Sequence, residues 1–268
     1  MSLHPSAFLF LSVIVWATST IGQEPFIVAH RGASYDAPEN TIPAFELAWK
    51  KNADAIEGDF YLTKDNQIVC IHDKSTKRYC RQNLDVAKST FDQLRRLDVG
   101  TYKNPKFRDT RIPSIQEVLA TVPEGKKIYV EIKCGPEIIP ELQKQLKASG
   151  LKPKQIVIIA FNSNVIKKIK SSNPEYKAYW LTSFKEKKGK LSPTVDQALA
   201  TLREIRADGI STNHKDLTQK FLSAVKQKGF EFHVWTVNEP DVAKRVQAWG
   251  VQSITTDRPA LIGKSISE

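Results

Sequence analysis

Carboxylates on two strand-like segments are the first residues of this sequence that could do chemistry. Glu57 and Asp59 lie two residues apart in the apolar segment 55–61, so on a β-strand both side chains would point to the same face. Glu131 lies near the end of a second such segment, 128–133. Three converging carboxylates repel one another unless a cation lies between them, and oxygen ligands favour Mg²⁺ or Ca²⁺. The alternative is that each carboxylate caps a helix or pairs with a neighbouring cationic side chain.

Two histidines lie at the ends of strand-like segments close to these carboxylates. His30 ends the segment 26–30, and His72 ends the segment 68–72. Because imidazole titrates near neutral pH, two histidines on either side of a phosphorus atom could act as general base and general acid. A single histidine at a strand end is more often a structural hydrogen-bonding group, but a pair beside carboxylates favours catalysis.

Cationic side chains accompany both groups. Arg31 directly follows His30 and carries a planar guanidinium suited to bidentate phosphate binding. Lys133 shares a strand face with Glu131 and offers a point charge. These residue types at these positions indicate a metal-assisted chemistry on a phosphate group.

The motif Pro38-Glu39-Asn40-Thr41 comes directly before a helical pattern. Asn40 and Thr41 are both available as the helix N-cap, and we expect Thr41 to take that position. Glu39 and Asn40 are then expected to face the pocket, as a neighbour of the metal site and as a positioning donor.

These side chains can meet only if the fold brings several strand ends together. The alternation of strand-like and helical segments along the chain is what such a fold requires. The predicted strands are 26–30, 55–61, 68–72, 128–133, 155–161, 177–181, 209–212, 232–237 and 253–256. Helical patterns, with apolar residues three and four apart, occupy 42–49, 138–146, 165–169, 195–205, 221–225 and 242–249. Repeated units of a strand followed by a helix predict a parallel sheet.

The number of strands in that sheet depends on how segments 55–61 and 68–72 are connected. The turn Lys64-Asp65-Asn66 between them is too short for a crossover helix, so they form one extended strand or a strand with an attached ribbon. Eight βα units then remain, which predicts an α/β fold of the TIM (β/α)8 barrel type, with its chemistry at the C-terminal ends of the strands. The alternative is an open doubly wound sheet, but no G-x-G-x-x-G follows the first strand.

The length of the chain fits a single barrel domain. A chain of 268 residues is ordinary for one α/β barrel, and we expect this domain to span residues 23–268. Residues 74–113 interrupt the alternation with turn residues, many charges and one short helical pattern near 91–97. An excursion of this length predicts a small inserted subdomain over the barrel mouth, and a surface loop without a role in binding is the alternative.

Residues 1–22 are predicted to be a secretory signal peptide. The segment 7–21 is apolar and uncharged, and the small residues Thr20 and Gly22 precede the expected cleavage point. We therefore expect an exported protein, periplasmic or extracellular. An uncleaved N-terminal membrane anchor and a buried N-terminal helix are the alternatives.

The formal net charge of +11 favours encounter with anionic partners. It permits peripheral contact with anionic lipid surfaces. The lysine-rich runs 167–170 and 185–190 have helix-like patterns and are expected to be solvated, so no nucleic-acid groove is expected. No obligate protein partner is evident from the sequence.

At the level of whole motifs, the sequence closely resembles the glycerophosphodiester phosphodiesterase family. The resemblance extends from about residue 28 to residue 259. The matching motifs are His30-Arg31-Gly32, Pro38-Glu39-Asn40-Thr41 with Ala44-Phe45, Ile56-Glu57-Gly58-Asp59, Leu62-Thr63-Lys64-Asp65, His72-Asp73, Arg111-Ile112-Pro113-Ser114, Glu131-Ile132-Lys133, Val234-Trp235-Thr236-Val237-Asn238 and Thr256-Asp257-Arg258-Pro259.

The resemblance implies a TIM barrel that hydrolyses glycerophosphodiesters to an alcohol and sn-glycerol 3-phosphate with one divalent cation, Mg²⁺ or Ca²⁺. It implies a family subdomain at residues 74–113. The residue roles that it implies are metal binding by Glu57, Asp59 and Glu131, acid–base catalysis by His30 and His72, and phosphate binding by Arg31 and Lys133.

Substrate choice is less determined by these motifs. Trp235 ends a predicted strand, where its indole could pack against glycerol carbons or belong to the core. A second enzymatic interpretation keeps the site and changes the substrate to a lysophospholipid or sphingolipid, giving a lysophospholipase D or phospholipase-like activity. A non-catalytic phosphate- or lipid-binding barrel is a third interpretation, against which the intact histidine pair and carboxylates argue.

Overall fold

A closed barrel of parallel strands forms the centre of the chain in the computed structural model, which describes residues 24–187 and 190–268. The strands are β1 Phe26–Ala29, β2 Ala55–Leu62, β3 Ile68–Cys70, β4 Lys127–Ile132, β5 Ile156–Ala160, β6 Lys177–Thr182, β7 Lys185–Lys187, β8 Lys190–Ser192, β9 Gly209–Asn213, β10 Glu231–Trp235 and β11 Ser253–Thr256. The helices are α1 Ile42–Lys50, α2 Phe91–Arg95, α3 Ile115–Ala120, α4 Ile139–Ala148, α5 Ser163–Ser172, α6 Val195–Glu204, α7 Gln219–Gln227, α8 Pro240–Ala248 and α9 Pro259–Ser267. The predicted signal peptide, residues 1–22, lies outside the described residues.

Eight strands close the barrel in the order β1-β2-β4-β5-β6-β9-β10-β11, and β1 pairs in parallel with both β2 and β11. The TIM barrel prediction is therefore confirmed, and the open doubly wound sheet is wrong. Within the described part of the chain, no helix is long and apolar enough to cross a membrane.

The barrel forms because its strands alternate between two apolar environments. On β4, Ile128, Val130 and Ile132 point outward into the layer between strands and helices. Tyr129 belongs to the interior cluster instead, so Glu131, two residues later, also points inward. The same alternation on β2 places Ile56 and Phe60 outside. The two-residue period thus sends carboxylates into the barrel at the end where the strands finish.

Two ribbons stand apart from this closed sheet. β3 runs antiparallel to β2, so the segment after the first carboxylates is an attached ribbon and not a continuation of the barrel strand. β3 ends at Cys70, and His72 lies two residues beyond the strand. Within the run 185–190, expected to be helix-like, residues 185–187 and 190 instead belong to the antiparallel ribbon of β7 and β8, and residues 188–189 lie outside the described part of the chain. The lysine-rich sequence of this run offers no apolar stripe for an amphipathic helix.

The segment 74–113 leaves the barrel after β3 and returns beside it, where Cys70 N donates to Pro113 O at 2.9 Å. It contains α2 and three short 3-10 turns, Thr76–Arg78, Val86–Lys88 and Pro105–Phe107. Its apolar side chains, among them Val86, Leu94 and Ile112, form a buried cluster apart from the barrel core. That this segment is a separate subdomain over the barrel mouth stays a prediction.

The loop from β1 to α1 makes a tight turn that shapes the barrel mouth. Arg31 and Gly32 both have positive φ angles, of 54° and 79°. An added Cβ at Gly32 would lie 2.6 Å from the backbone carbonyl carbon of Ala44 at the start of α1. Glycine is therefore required at this position by both conformation and space.

We predict that Gly32→Ala lowers the free energy of unfolding by about 1–3 kcal/mol more than Gly125→Ala, because only the first substitution adds a steric clash. Gly125 is the matched control, since its φ is also positive, 80°, and its Cβ would meet nothing within 4 Å. Urea unfolding of both variants measures the difference. Equal losses would contradict the close packing of this loop on α1.

His233 is a structural residue of the barrel interior. Its imidazole is 2% exposed, stacks on the ring of Tyr179 with centroids 3.9 Å apart, and has Nδ1 2.8 Å from the hydroxyl of Ser253. Burial lowers the pKa of His233 below its usual value, although the carboxylate of Glu231 acts in the opposite direction. The folded protein therefore resists protonation at this position.

Because the unfolded chain takes up a proton at an ordinary histidine pKa, the free energy of unfolding should fall as the pH is lowered from about 7 towards 5. For this residue the slope can reach about 1.4 kcal/mol per pH unit. We expect His233→Gln to show a shallower decline when unfolding is measured across this range. Identical slopes in the variant and the unaltered protein would be inconsistent with a buried neutral imidazole.

Candidate active site

Three buried carboxylates meet at the C-terminal ends of β2 and β4. Asp59 pairs with Glu131 across the two strands, and Glu57 lies two residues earlier on the same inward face. One carboxylate oxygen of each lies within 4.8 Å of the others. Their exposed fractions are 2%, 1% and 8%, in the order Glu57, Asp59, Glu131. The predicted convergence of these side chains is what the barrel produces.

The protonation of these carboxyl groups is set by burial and mutual repulsion. Burial, followed by repulsion from Asp59, raises the pKa of Glu57 well above its usual value and that of Glu131 to about 7. Burial also acts to raise the pKa of Asp59, but attraction to Arg31 and Lys133 outweighs it and lowers the pKa. A positive charge placed among the three would ionise all of them.

The donor atoms also fit a metal ion. Among the described residues, Glu57 Oε1 and Asp59 Oδ1 are buried without a hydrogen-bond partner. Buried oxygens of this kind are rare unless they serve a ligand or ion. A set of carboxylate oxygens matches the preference of a hard divalent cation. The triad could therefore hold a metal ion.

Two cationic side chains border the carboxylates. The backbone N–H of Arg31 donates to Glu57 Oε2 at 2.9 Å, which the positive φ of Arg31 allows, and its Nε lies 3.2 Å from Asp59 Oδ2. Lys133 Nζ lies 2.7 Å from Glu131 Oε1 and 3.3 Å from Asp59 Oδ1. Both cations remain at the pocket surface, where they line the same cavity as Glu57 and Glu131.

Residues of the motif before α1 form hydrogen bonds with residues of the site. Asn40 Nδ2 donates to Asp59 Oδ2 at 2.8 Å, and the Asp59 N–H donates back to Asn40 Oδ1 at 3.1 Å. Glu39 accepts from Arg31 Nη1 at 3.0 Å. Neither Glu39 nor Asn40 is among the residues that line the cavity. Thr41 holds the N-cap position, but its hydroxyl donates to Pro38 O at 2.5 Å and caps no N–H of the described helix.

Each candidate histidine is bound by an aspartate. His30 Nδ1 lies 2.7 Å from Asp257 Oδ1, and Asn238 Nδ2 donates to the other oxygen of that carboxylate at 2.6 Å. His72 Nδ1 lies 2.6 Å from Asp73 Oδ1. Burial lowers the pKa of His72, partly offset by the attraction of Asp59. With Nδ1 engaged in this way, Nε2 of each ring is the atom left for proton transfer.

One cavity of about 180 Å³ brings these groups together. Its polar side is formed by His30, Arg31, Glu57, His72, Glu131 and Lys133. Its opposite side is apolar and includes Ile159, Phe161, Leu181 and Trp235. Trp235 and Phe161 meet edge to face with ring centroids 5.8 Å apart. The cavity thus combines an ionic wall with an aromatic one.

Sequence reasoning missed the residues that hold the histidines. Asp257 and Asn238 belong to motifs noted above, but nothing in their spacing links them to His30, which lies 227 residues before Asp257. A partial signal existed in the position of Asp257 directly after β11, since strand ends converge at the mouth of a barrel. Asp73 was detectable only as the neighbour of His72.

Comparisons with known proteins point to one family. A model of the glycerophosphoryl diester phosphodiesterase family matches residues 30–261. A glycerophosphodiester phosphodiesterase of Caldanaerobacter subterraneus subsp. tengcongensis is 31% identical over 240 residues, which cover 87% of this chain and 94% of that protein. One from Bacillus subtilis (strain 168) is 29% identical over 254 residues, covering 88% of this chain and 85% of that protein.

Solved structures show the same fold. An Oleispira antarctica phosphodiesterase, solved in complex with the product sn-glycerol-3-phosphate, superimposes with a TM-score of 0.83 at 22% identity, over 91% of this chain and 98% of that one. A glycerophosphodiester phosphodiesterase from Thermotoga maritima gives a TM-score of 0.73 at 23% identity, over 90% and 98%. Since the family model matches residues 30–261, most of the chain, the chain belongs to the glycerophosphoryl diester phosphodiesterase family.

Proposed function

We propose that this enzyme hydrolyses small glycerophosphodiesters to an alcohol and sn-glycerol 3-phosphate, with one divalent cation and a pair of catalytic histidines. The observation that carries the proposal is the buried triad of Glu57, Asp59 and Glu131, in contact with the cavity that holds both histidines. Among the described residues, Glu57 Oε1 has no hydrogen-bond partner, and Asp59 Oδ1 has only its ion pair with Lys133. The product bound to the Oleispira antarctica relative supports the substrate class.

The phosphodiester is held by charge. Arg31 and Lys133 lie on the ionic wall, where a guanidinium and an ammonium bind phosphate oxygens that carry negative charge in the transition state. The triad would hold Mg²⁺ or Ca²⁺, which when bound neutralises charge on a further phosphate oxygen. Asn40 orients Asp59 for this task by two hydrogen bonds.

The histidines move the protons. One imidazole removes a proton from the nucleophile and the other protonates the leaving alkoxide. If the nucleophile is water, sn-glycerol 3-phosphate forms directly; if it is the glycerol 2-hydroxyl, a cyclic phosphate forms, and water then opens its P–O2 bond while the histidines return the protons in the reverse sense. Asp257 and Asp73 fix the rings through Nδ1, so that Nε2 of His30 and of His72 is free for these transfers. The burial that lowers the pKa of His72 keeps that ring mostly neutral near pH 7.

The aromatic wall favours short substrates. Trp235 and Phe161 offer flat apolar surfaces for glycerol carbons, opposite the ions that bind phosphate. A cavity of about 180 Å³ is small for a long acyl chain, which supports glycerophosphodiesters over lysophospholipids or sphingolipids.

We also propose export through the signal peptide at residues 1–22, with the +11 charge favouring contact with anionic lipid surfaces. Mass spectrometry of the protein recovered from the medium or periplasm is expected to show a mature chain that begins near Gln23. An intact N-terminus in the membrane fraction would instead identify an anchor.

Removing the cation or a member of its site should abolish activity. We expect EDTA, Glu57→Gln, His30→Ala and His72→Ala each to lower release of sn-glycerol 3-phosphate from a panel of glycerophosphodiesters by about 100-fold or more, because each removes charge stabilisation or proton transfer. The exposed Glu124→Gln is the matched carboxylate control and should hydrolyse the panel normally. Normal activity after chelation or in these variants would rule out the mechanism.

The aspartate behind His30 should matter for turnover. Asp257→Asn replaces the anionic acceptor of His30 Nδ1 with a neutral amide, and we expect kcat to fall by about tenfold to 100-fold with little change in KM. Asp36→Asn is the control, since that carboxylate pairs with Lys51 at the surface. Steady-state kinetics measures both. A rise in KM with an unchanged kcat would contradict the positioning role of Asp257.

A further inference from the structure

Arg78 lies on the 3-10 turn Thr76–Arg78, within the segment 74–113. It is not among the residues that line the cavity of the proposed site. Its guanidinium donates to two carboxylates at once. Nε donates to Asp73 Oδ2 at 2.8 Å, while Nη1 and Nη2 donate to Glu39 Oε2 and Oε1 at 2.9 and 2.8 Å. The contact with Glu39 is thus bidentate, the strongest geometry for such a pair.

Both carboxylates lead directly to residues of the proposed site. Asp73 Oδ1 is the partner of His72 Nδ1 at 2.6 Å, and Glu39 Oε1 is the partner of Arg31 Nη1 at 3.0 Å. The guanidinium of Arg78 is therefore linked through one intervening side chain to a histidine proposed to be catalytic, and through another to an arginine proposed to bind phosphate. The two belong to different elements, the β1–α1 loop and the segment after β3.

The charges favour this arrangement. Hydrogen bonds from Arg78 and His72 outweigh burial and lower the pKa of Asp73 to about 2. Arg78 and Arg31 likewise outweigh burial and lower the pKa of Glu39. Both acids therefore remain anionic acceptors at neutral pH, as the orientation of an imidazole and a guanidinium requires.

We infer that Arg78 is a positioning residue of the active site, whose guanidinium orients His72 through Asp73 and Arg31 through Glu39. The inference rests on the proposed function for the roles of His72 and Arg31. It assigns to the segment 74–113 an indirect part in the reaction: the segment supplies the group that connects the β1–α1 loop to the residues after β3.

The segment has other attachments that hold it in place without Arg78. The guanidinium of Arg95 bonds Ile112 O at 3.1 Å and forms an ion pair with Glu117 on α3. Arg78 touches the buried cluster of Val86, Leu94 and their neighbours only at Tyr79, over whose ring its guanidinium lies at 4.5 Å, and its side chain is 42% exposed. Substituting Arg78 should therefore leave the segment folded.

The test compares Arg78→Ala and Arg78→Lys with the control Arg81→Ala. Arg81 lies three residues further on the same segment, is exposed, and makes no hydrogen bond or ion pair with the residues that the structure describes. We expect Arg78→Ala to lower kcat by about tenfold to 100-fold with an unchanged Tm, and also to raise KM. Arg78→Lys should retain more of the kcat than Arg78→Ala but less than the unaltered enzyme, because an ammonium cannot span both carboxylates. Arg81→Ala should stay within about twofold of the unaltered enzyme.

A double-mutant cycle identifies the route. If Arg78 acts through Asp73, the kcat of Arg78→Ala combined with Asp73→Asn should be no lower than that of the more damaged single variant. The same cycle with Glu39→Gln should show non-additivity in KM, because Glu39 leads to the phosphate-binding Arg31. Losses that multiply in both cycles would overturn the inference.

A measurement that does not depend on turnover distinguishes a failure of this inference from a failure of the proposed function. ¹⁵N NMR of the His72 ring is expected to show the proton on Nδ1 in the unaltered protein and in Arg81→Ala, and a mixture of tautomers in Arg78→Ala. The inference fails while the proposed function stands under the following outcome. The unaltered protein hydrolyses the panel, His72→Ala does not, and Arg78→Ala matches Arg81→Ala in kcat, KM and tautomer. If the enzyme shows no hydrolysis, the proposed function fails, and the tautomer alone decides whether Arg78 orients His72.

Discussion

Repulsion among three buried carboxylates is the constraint around which the barrel mouth is organised. Glu57, Asp59 and Glu131 are nearly inaccessible to water, and their oxygens approach within 4.8 Å of one another. Such a group is unfavourable in isolation, since burial and like charge both disfavour ionisation. Arg31 and Lys133 compensate part of this charge, and a divalent cation would compensate the rest. The same positive groups are then available to bind a phosphodiester.

The pocket is held in place from behind by residues that never reach its surface. Asn40 fixes Asp59, Asp257 fixes His30, and Asp73 fixes His72, each through hydrogen bonds of 3.1 Å or less. Two residues of the β1–α1 loop, Arg31 and Asn40, adopt positive φ angles, of 54° and 57°. Conformations of this kind cluster where surrounding structure imposes them for function. The geometry of the site is thus built into the loops as well as into the barrel strands.

The cavity is divided into an ionic and an apolar half. On the proposed function, the ionic half would bind the phosphate and the wall of Trp235 and Phe161 would face the glycerol carbons. The segment 74–113 is linked to the ionic half through Glu39, which Arg78 and Tyr79 both contact and which accepts from Arg31. Phosphate and glycerol would therefore be bound by different elements of one fold.

The sequence by itself determined which side chains could share a face. The two-residue period of strands placed Glu57 with Asp59, and repeated βα units required a barrel whose strand ends converge. It could not determine the pairing of His30 with Asp257, the bridge of Arg78 between Asp73 and Glu39, or the antiparallel direction of β3. Those contacts join residues from distant or irregular parts of the chain. They exist only once barrel closure and strand register have set which loops meet, and no local pattern encodes that distance.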